Sequence, residues 1–518
     1  MALLFESTVI EFAALVTVLC ASLYLYFTRN FNFWKKYDIP HLEPTPFIGD
    51  MKDVLFQKFG ISEYLKNIYE QHSDKPYVGI MAFDRPALVL NDLDLVRDVL
   101  VKDAHHFVNH ILAMSKDVDP VVSRVIIMQK NEKWRHTRSS MTQVFTISKL
   151  KKMTNLVVSC MQDLNTYMEN VAANGAPINV MEVMGMYATD LISSCAFGIK
   201  SNSFNKSNAE IWENHRKMLN FSVLNGFSTL LMYFAPNFHN MLKFKVFSDE
   251  YTQLLRRIVW SSIKYREKNE FNQSDAVSCM IELKKKGTDI NQNQASITPI
   301  DIEGDDLVGI MFSFLFAGFE MAASTLTYAL YELAFNPEIQ DRLREEITEV
   351  LNGHDQQVTY ESIQQMTYLD MVVSESLRKY PIQGLLDRAC LKDYELPHPT
   401  GKGTFTLPAG TGVYIPLLGI QHDPKYYPDP ETFNPENFSE ENKQARHKKA
   451  YLPFGDGPRQ CIGIRFGNMQ VKSGLINILS HYEVVPCEET PVPLRFNPRP
   501  FLLLPLDTVY LKFNRISA

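Results

Sequence analysis

Residues 454–463 read Phe454-Gly455-Asp456-Gly457-Pro458-Arg459-Gln460-Cys461-Ile462-Gly463. Glycine and proline at these spacings make the stretch a loop rather than a helix or strand. Gly457 and Gly463 allow the backbone to come close to whatever lies beside Cys461. The following residues, 462–478, have an amphipathic pattern, which predicts that the loop feeds a helix. A cysteine ahead of a helix N-terminus meets free backbone N–H groups and the positive end of the helix dipole, and both favour a thiolate. A structural cysteine in a glycine-rich loop is the plainer alternative.

The segment fits the pattern FxxGxRxCxG and so resembles the haem-binding loop of the cytochromes P-450, the haem-thiolate monooxygenases. The resemblance implies a mainly α fold with small β-sheets and one haem b. It makes Cys461 the axial iron ligand, a thiolate that pushes electron density onto the metal. It also implies that Phe454 shields the sulfur, that amides near Gly463 tune the iron, and that Arg459 pairs with a haem propionate. Upstream, Glu375-Ser376-Leu377-Arg378 matches the family's ExxR, an i,i+3 pair on one helix face. The family locks that pair to a further arginine. In Pro435-Glu436-Asn437-Phe438 the arginine is replaced by Asn437, whose amide can still bond a carboxylate or guanidinium, so a weakened core is expected. Trp134 and Arg138 match WxxxR, and Arg388 stands where relatives place another propionate-binding arginine.

The oxygen-activating helix departs from the family. It reads Ala317-Gly318-Phe319-Glu320-Met321-Ala322-Ala323-Ser324-Thr325. By resemblance Gly318 opens a groove beside the haem and Glu320 serves proton delivery. Met321 occupies the usual threonine position, and a thioether cannot donate a proton. Water, Ser324 or a substrate hydroxyl are the substitutes; plain packing is the bland reading of Met321.

Outside these motifs the chain has the composition of a large globular protein, with 518 residues, 45% hydrophobic and 21% charged. The net charge of -7 provides no basic field for nucleic acid. Seven scattered cysteines without a CxxC pair argue against zinc or a disulfide framework. Residues 12–27 are nearly all apolar, with Glu6 and Glu11 before them and Arg29, Lys35 and Lys36 after. This predicts a transmembrane anchor helix within residues 1–30 and a cytosolic body. A cleaved signal peptide would need a basic start, and the first residues hold no Lys or Arg. A connector over 31–50, with Pro40, Pro44, Pro46 and Gly49, leads to a haem-binding catalytic domain over 51–518. Within it, 270–300 reads as a solvated loop, 305–335 as a long helix ended by Pro337, 337–351 as an amphipathic helix and 360–380 as helices ending before Pro381. Strands are expected at 87–90 and 412–418.

The resemblance is to eukaryotic microsomal enzymes, especially insect members linked to xenobiotic metabolism. It implies residence in the endoplasmic reticulum membrane and electrons from NADPH through cytochrome P-450 reductase, with cytochrome b5 as a second candidate partner. Basic clusters at Lys130, Lys133, Arg135, Lys149, Lys151 and Lys152, and at Arg446, His447, Lys448 and Lys449, would steer an acidic flavoprotein. Largely apolar segments at 105–128, 312–324, 382–386 and 496–503, with Phe316, Phe319, Leu385, Leu386 and Phe501, favour a lipophilic substrate. Two alternatives remain: a peroxide isomerase or dehydratase on the same fold, and a non-catalytic haem protein.

Overall fold

The computed structural model describes residues 2–205, 209–218, 222–269, 275–278, 280–282 and 304–516. Most of the solvated loop expected over 270–300 lies outside the described residues.

The helix Asp305–Phe335 is the axis of the body. Asp305 and Asp306 sit in its first turn, where negative charge complements the dipole, and the next helix, Pro337–Asn352, starts on its proline. Although apolar enough to cross a membrane, it is 72% buried over that window, so its hydropathy is that of a core helix. It packs against Val180–Ile192, Thr367–Lys379 and Ile464–Leu479. The last of these starts two residues later than the pattern suggested, because Gly463 is its N-cap rather than a helical residue.

Three small sheets surround the helices. The largest has the spatial order Tyr77–Ala82, Arg85–Leu90, Gly412–Ile415, Leu386–Ala389; only its middle pairing is parallel. The strand expected over 412–418 stops at Ile415. Pro416 has no N–H for a sheet ladder, and Leu417–Gln421 turns into a helix. Ile178–Asn179, Tyr510–Arg515 and Tyr482–Pro486 form the second sheet, and Tyr394–Pro397 pairs with Thr404–Leu407 in the third.

At the N-terminus a helix spans Ala2–Thr28, and no residue of its apolar stretch Ile10–Thr28 is fully buried in the protein. Residues 31–50 lie against the large sheet. Trp34 is fully buried and donates from Nε1 to the Ile80 carbonyl at 3.0 Å. Gly49 adopts φ +58°, and a Cβ there would stand 2.2 Å from the Met81 carbonyl oxygen, so only glycine fits.

The ion pair of the ExxR motif is fully buried. Arg378 donates from Nε and Nη2 to the two carboxylate oxygens of Glu375, both at 2.8 Å. It also donates to the Gln421 and Thr432 carbonyls at 3.1 and 3.3 Å. Asn437 Nδ2 donates to both Glu375 oxygens at 3.2 and 3.3 Å, and the Asn434 amide adds a 2.9 Å bond. Asn437 therefore keeps the hydrogen bonding of the lost arginine but not its charge. Arg446 donates to the Asn437 carbonyl at 2.8 Å and lies over the Tyr427 ring at 4.4 Å.

Removing one partner of a buried pair strands the other charge, at a cost of about 3–5 kcal/mol. Losing a hydrogen bond to a charged group costs about 2 kcal/mol. Arg378→Ala should thus lower the denaturant midpoint much further than Asn437→Ala, as read by urea unfolding followed by circular dichroism.

Candidate functional site

The loop ahead of Ile464–Leu479 is built around backbone contacts. The Cys461 amide donates to the Phe454 carbonyl at 2.8 Å and closes the loop. Asp456 accepts from the Gly457 amide at 2.6 Å and from Lys449 Nζ. Gly457 has φ +68°, and a Cβ there would fall 1.8 Å from the Leu100 carbonyl oxygen. Around Gly463 a Cβ would meet nothing within 4 Å.

Cys461 is solvent-exposed, yet burial is the main influence on its thiol and pushes its pKa up. The two observations agree if the thiol opens onto an enclosed space. The Gly463 N–H and the Arg138 guanidinium act in the opposite direction and favour the thiolate. The central helix shows the same signature. Ala317 is exposed and Phe316, Gly318 and Met321 are half-open, in a helix whose neighbouring turns are buried.

Sequence-distant cations converge beside this loop. Arg459 stacks on the Trp134 ring at 3.9 Å and donates to the Val108, Gln129 and Ile126 carbonyls at 2.7, 2.8 and 3.4 Å. Burial, together with Arg388 and Arg138, lowers its pKa to about 9. Arg388, buried, donates to the Asp387 carbonyl at 2.7 Å. Burial also lowers Arg388, Arg138 and Lys130. Asp387 is the only carboxylate among the charges acting on Arg459 and Arg388. It is already bonded by His110 Nδ1 at 2.9 Å and the Ile111 amide at 2.6 Å. His110 and Asp387 carried no sequence signal: they lie 277 residues apart and belong to no motif.

Other expectations need correction. Gly318 is half-open and is also a packing position. A Cβ on it would stand 2.5 Å from Ile192 Cδ1, so it lets the helix Val180–Ile192 approach. Ala317, one residue earlier, is the accessible position. Phe319 points away from that face, is buried, and stacks on His215 at 4.6 Å. Leu385 is likewise fully buried in a separate core cluster. Phe316 and Phe501 remain half-open, with ring centroids 6.4 Å apart. Met321 is half-open and packs against the buried cluster of Tyr328, Tyr380, Ile382, Leu502 and Leu504. Glu320 is fully buried, accepts from Ser324 Oγ at 2.8 Å, and its Oε2 has no partner among the described residues. Burial raises its pKa to about 7.

Comparison with known families matches residues 40–513 to cytochrome P450. The chain belongs to the cytochrome P450 family. Among curated relatives, cytochrome P450 6j1 of Blattella germanica is 42% identical, covering 99% of both chains. Cytochrome P450 6k1 of the same species is 38% identical over 97% of both chains. Cytochrome P450 6a2 of Drosophila melanogaster is 36% identical over 95% of this chain and 97% of its own.

P450 membership makes the chain an oxidoreductase with haem iron as cofactor. The site chemistry fits haem b. A cluster of one buried and two half-buried guanidiniums with one committed carboxylate is short of negative charge, and the macrocycle carries two propionates. Cys461 offers the sulfur of a P450 on the loop beside them.

Two outcomes follow from this geometry. Gly457→Ala forces a left-handed alanine into the Leu100 carbonyl. Haem retention should fall at least tenfold, measured as the ratio of Soret to protein absorbance, while Gly467→Ala, whose Cβ meets nothing within 4 Å, should keep it. Glu320 has a folded pKa near 7 against about 4.5 for a free carboxyl. Its protonated form favours the native state, so its contribution is intact below pH 4.5 and is lost as pH rises through 7. Glu320→Gln should therefore gain stability over wild type as pH rises from 4.5 to 7, by about 3 kcal/mol at most, read as the difference in Tm across pH.

Proposed function

We propose that this P450 is a membrane-anchored monooxygenase that oxygenates a lipophilic substrate with electrons from NADPH, delivered by cytochrome P-450 reductase. The carrying observation is Cys461, exposed on its glycine-shaped loop, beside the guanidiniums of Arg138, Arg388 and Arg459, whose neighbouring carboxylate, Asp387, is already bonded. Bound haem supplies the activation of dioxygen, one atom of which enters the substrate while the other becomes water. The chain's residues bind, orient and exclude water. Cys461 holds the iron, with the Gly463 N–H and Arg138 favouring its thiolate. Arg138 and Arg388 bind propionates. Arg459 already spends three donors on carbonyls and stacks on Trp134, so it serves the propionates mainly as a fixed charge. Phe454 shields the sulfur. Glu375, Arg378 and Asn437 hold the loop's support. Ala317, Phe316, Met321 and Phe501 line an apolar reaction space, which selects lipophilic molecules.

The exposed apolar helix Ile10–Thr28 serves as the anchor over residues 1–30, with 31–50 docking the catalytic domain, 51–518, at the endoplasmic reticulum membrane. The basic flank at Arg29, Lys35 and Lys36 puts that domain on the cytosolic side. For reductase, and cytochrome b5 as a second donor, the two basic clusters are not equally available. Lys133 pairs with Asp306 at 2.8 Å, Lys151 with Glu361 at 2.5 Å, Arg135 with Glu132 and Lys449 with Asp456. Lys152 and Lys448 are exposed and show no ion pair among the described residues, so they carry most of the steering.

Met321 keeps a second reading in view, a peroxide isomerase that needs neither dioxygen nor reductase. Reconstitution with reductase separates the two. Reduced protein with CO should absorb at roughly 450 nm and Cys461→His should lose that band. Substrate should be oxygenated at the expense of NADPH, and Met321→Thr should raise the product formed per NADPH for a substrate without a hydroxyl near its reacting carbon. Product formed from an organic peroxide alone, and only then, favours the isomerase.

A further inference from the structure

Four consecutive residues, Val108 to Ile111, bond to each of the three pieces of chain that bring Arg138, Arg388 and Arg459 to the cysteine loop. The Val108 carbonyl accepts from Arg459 Nε at 2.7 Å. The Asn109 carbonyl accepts from the Ala389 amide at 2.8 Å. The Asp387 carboxylate takes His110 Nδ1 at 2.9 Å and the Ile111 amide at 2.6 Å. The residues on both sides of Arg388 are thus tied to this segment.

The third tie is made by the Asn109 side chain. Its Nδ2 donates to Asn131 Oδ1 at 2.7 Å, and its Oδ1 accepts from the Asn131 amide at 2.9 Å. Asn109 is 3% exposed, so water competes little for either bond. Asn131 opens the helix Asn131–Thr142, which carries Trp134 and Arg138. It has φ +51°, a left-handed conformation that asparagine tolerates better than most residues. Trp134 follows within one turn and Arg138 after about two, so a helix fixed at Asn131 has both side chains placed.

Besides burial, Arg388 and Arg138 weigh against the charge on Arg459. Like charges on separate pieces of chain push those pieces apart unless other bonds hold them. We infer that Asn109 is a positioning residue of the haem site: its paired bonds with Asn131 and its backbone bond to Ala389 hold Arg138 and Arg388 beside Arg459, ready for two propionates. The inference rests on the propionate-binding reading of Arg138 and Arg388 given above. Cations ordered in advance lose little freedom when the anionic ligand arrives, and that saving appears as affinity.

The test uses the full-length haem protein and measures how fast haem passes to an excess of haem-free myoglobin, followed in the Soret band. Each protein is also reconstituted with haem dimethyl ester, whose two propionates are esterified and uncharged. Wild type should lose the ester much faster than haem. Asn109→Ala should speed haem loss about tenfold or more, the scale on which residues supporting a ligand-holding group act, and should leave ester loss unchanged. Asn131→Asp keeps both bonds, because its carboxylate still accepts and its amide still donates, and should retain haem as wild type does. Asn131→Gly keeps the left-handed backbone and the amide bond but lacks the side-chain acceptor. It should fall between the two, and it replaces Asn109→Ala if that variant does not fold. Equal acceleration of haem and ester loss overturns the inference, since Asn109 then supports the fold in general. Haem loss at the wild-type rate overturns it as well. If wild type itself loses haem and ester at the same rate, the propionate reading fails and takes the inference with it, so the wild-type pair alone tells the two failures apart.

Discussion

Glu375 and Arg378 form a fully buried, two-bonded ion pair, and several remote parts of the chain meet on it. The helix Thr367–Lys379 supplies both charges. The Gln421 and Thr432 carbonyls, the Asn434 amide and the Asn437 side chain satisfy their remaining donors and acceptors. Such a pair is tolerable in a low-dielectric interior only when every lone pair and N–H is used. That requirement fixes where the segment 432–437 must run, and from there the chain reaches Arg446 and the cysteine loop. Replacement of the family's arginine by Asn437 is absorbed because the constraint is hydrogen bonding as much as charge.

The second constraint is electrostatic and points the other way. Around Trp134 the protein gathers Arg138, Arg388 and Arg459 in half-buried or buried positions, with Asp387 already committed to His110. A folded chain alone gains little by burying like charges together. The cluster makes physical sense as a site completed by a ligand bearing two carboxylates, so the cost is carried until that ligand binds.

The central helix reconciles three demands on one element. One side packs tightly enough on Val180–Ile192 that residue 318 must be glycine. Another leaves Ala317 exposed and Phe316, Gly318 and Met321 half-open. Buried polar side chains, Glu320, Ser324, Tyr328 and Glu332, follow at four-residue spacing, winding about a third of a turn around the axis. With Met321 in place of a hydroxyl, the same stretch still holds the hydrogen bond from Ser324 to Glu320 at 2.8 Å.

The sequence by itself determined the loop around Cys461, the limits of the long helix and the family, and it placed Glu375 and Arg378 on one helix face, while their burial came from the fold. Each depends on contacts within a few residues or on a spacing that only one chemistry uses. The exact ends of short elements, such as the stop at Ile415, depended on a proline whose effect is local but easily overlooked beside an apolar run. Tertiary structure alone decided which side each residue of the central helix presents. Phe319 had been expected at the reaction space, and it is buried and stacked on His215 instead, because a rotation of one residue on a helix moves a side chain by 100°. His110 and Asp387 were invisible for a related reason. Their bond spans 277 residues of sequence, and no local pattern records which distant side chains a fold will bring to 2.9 Å.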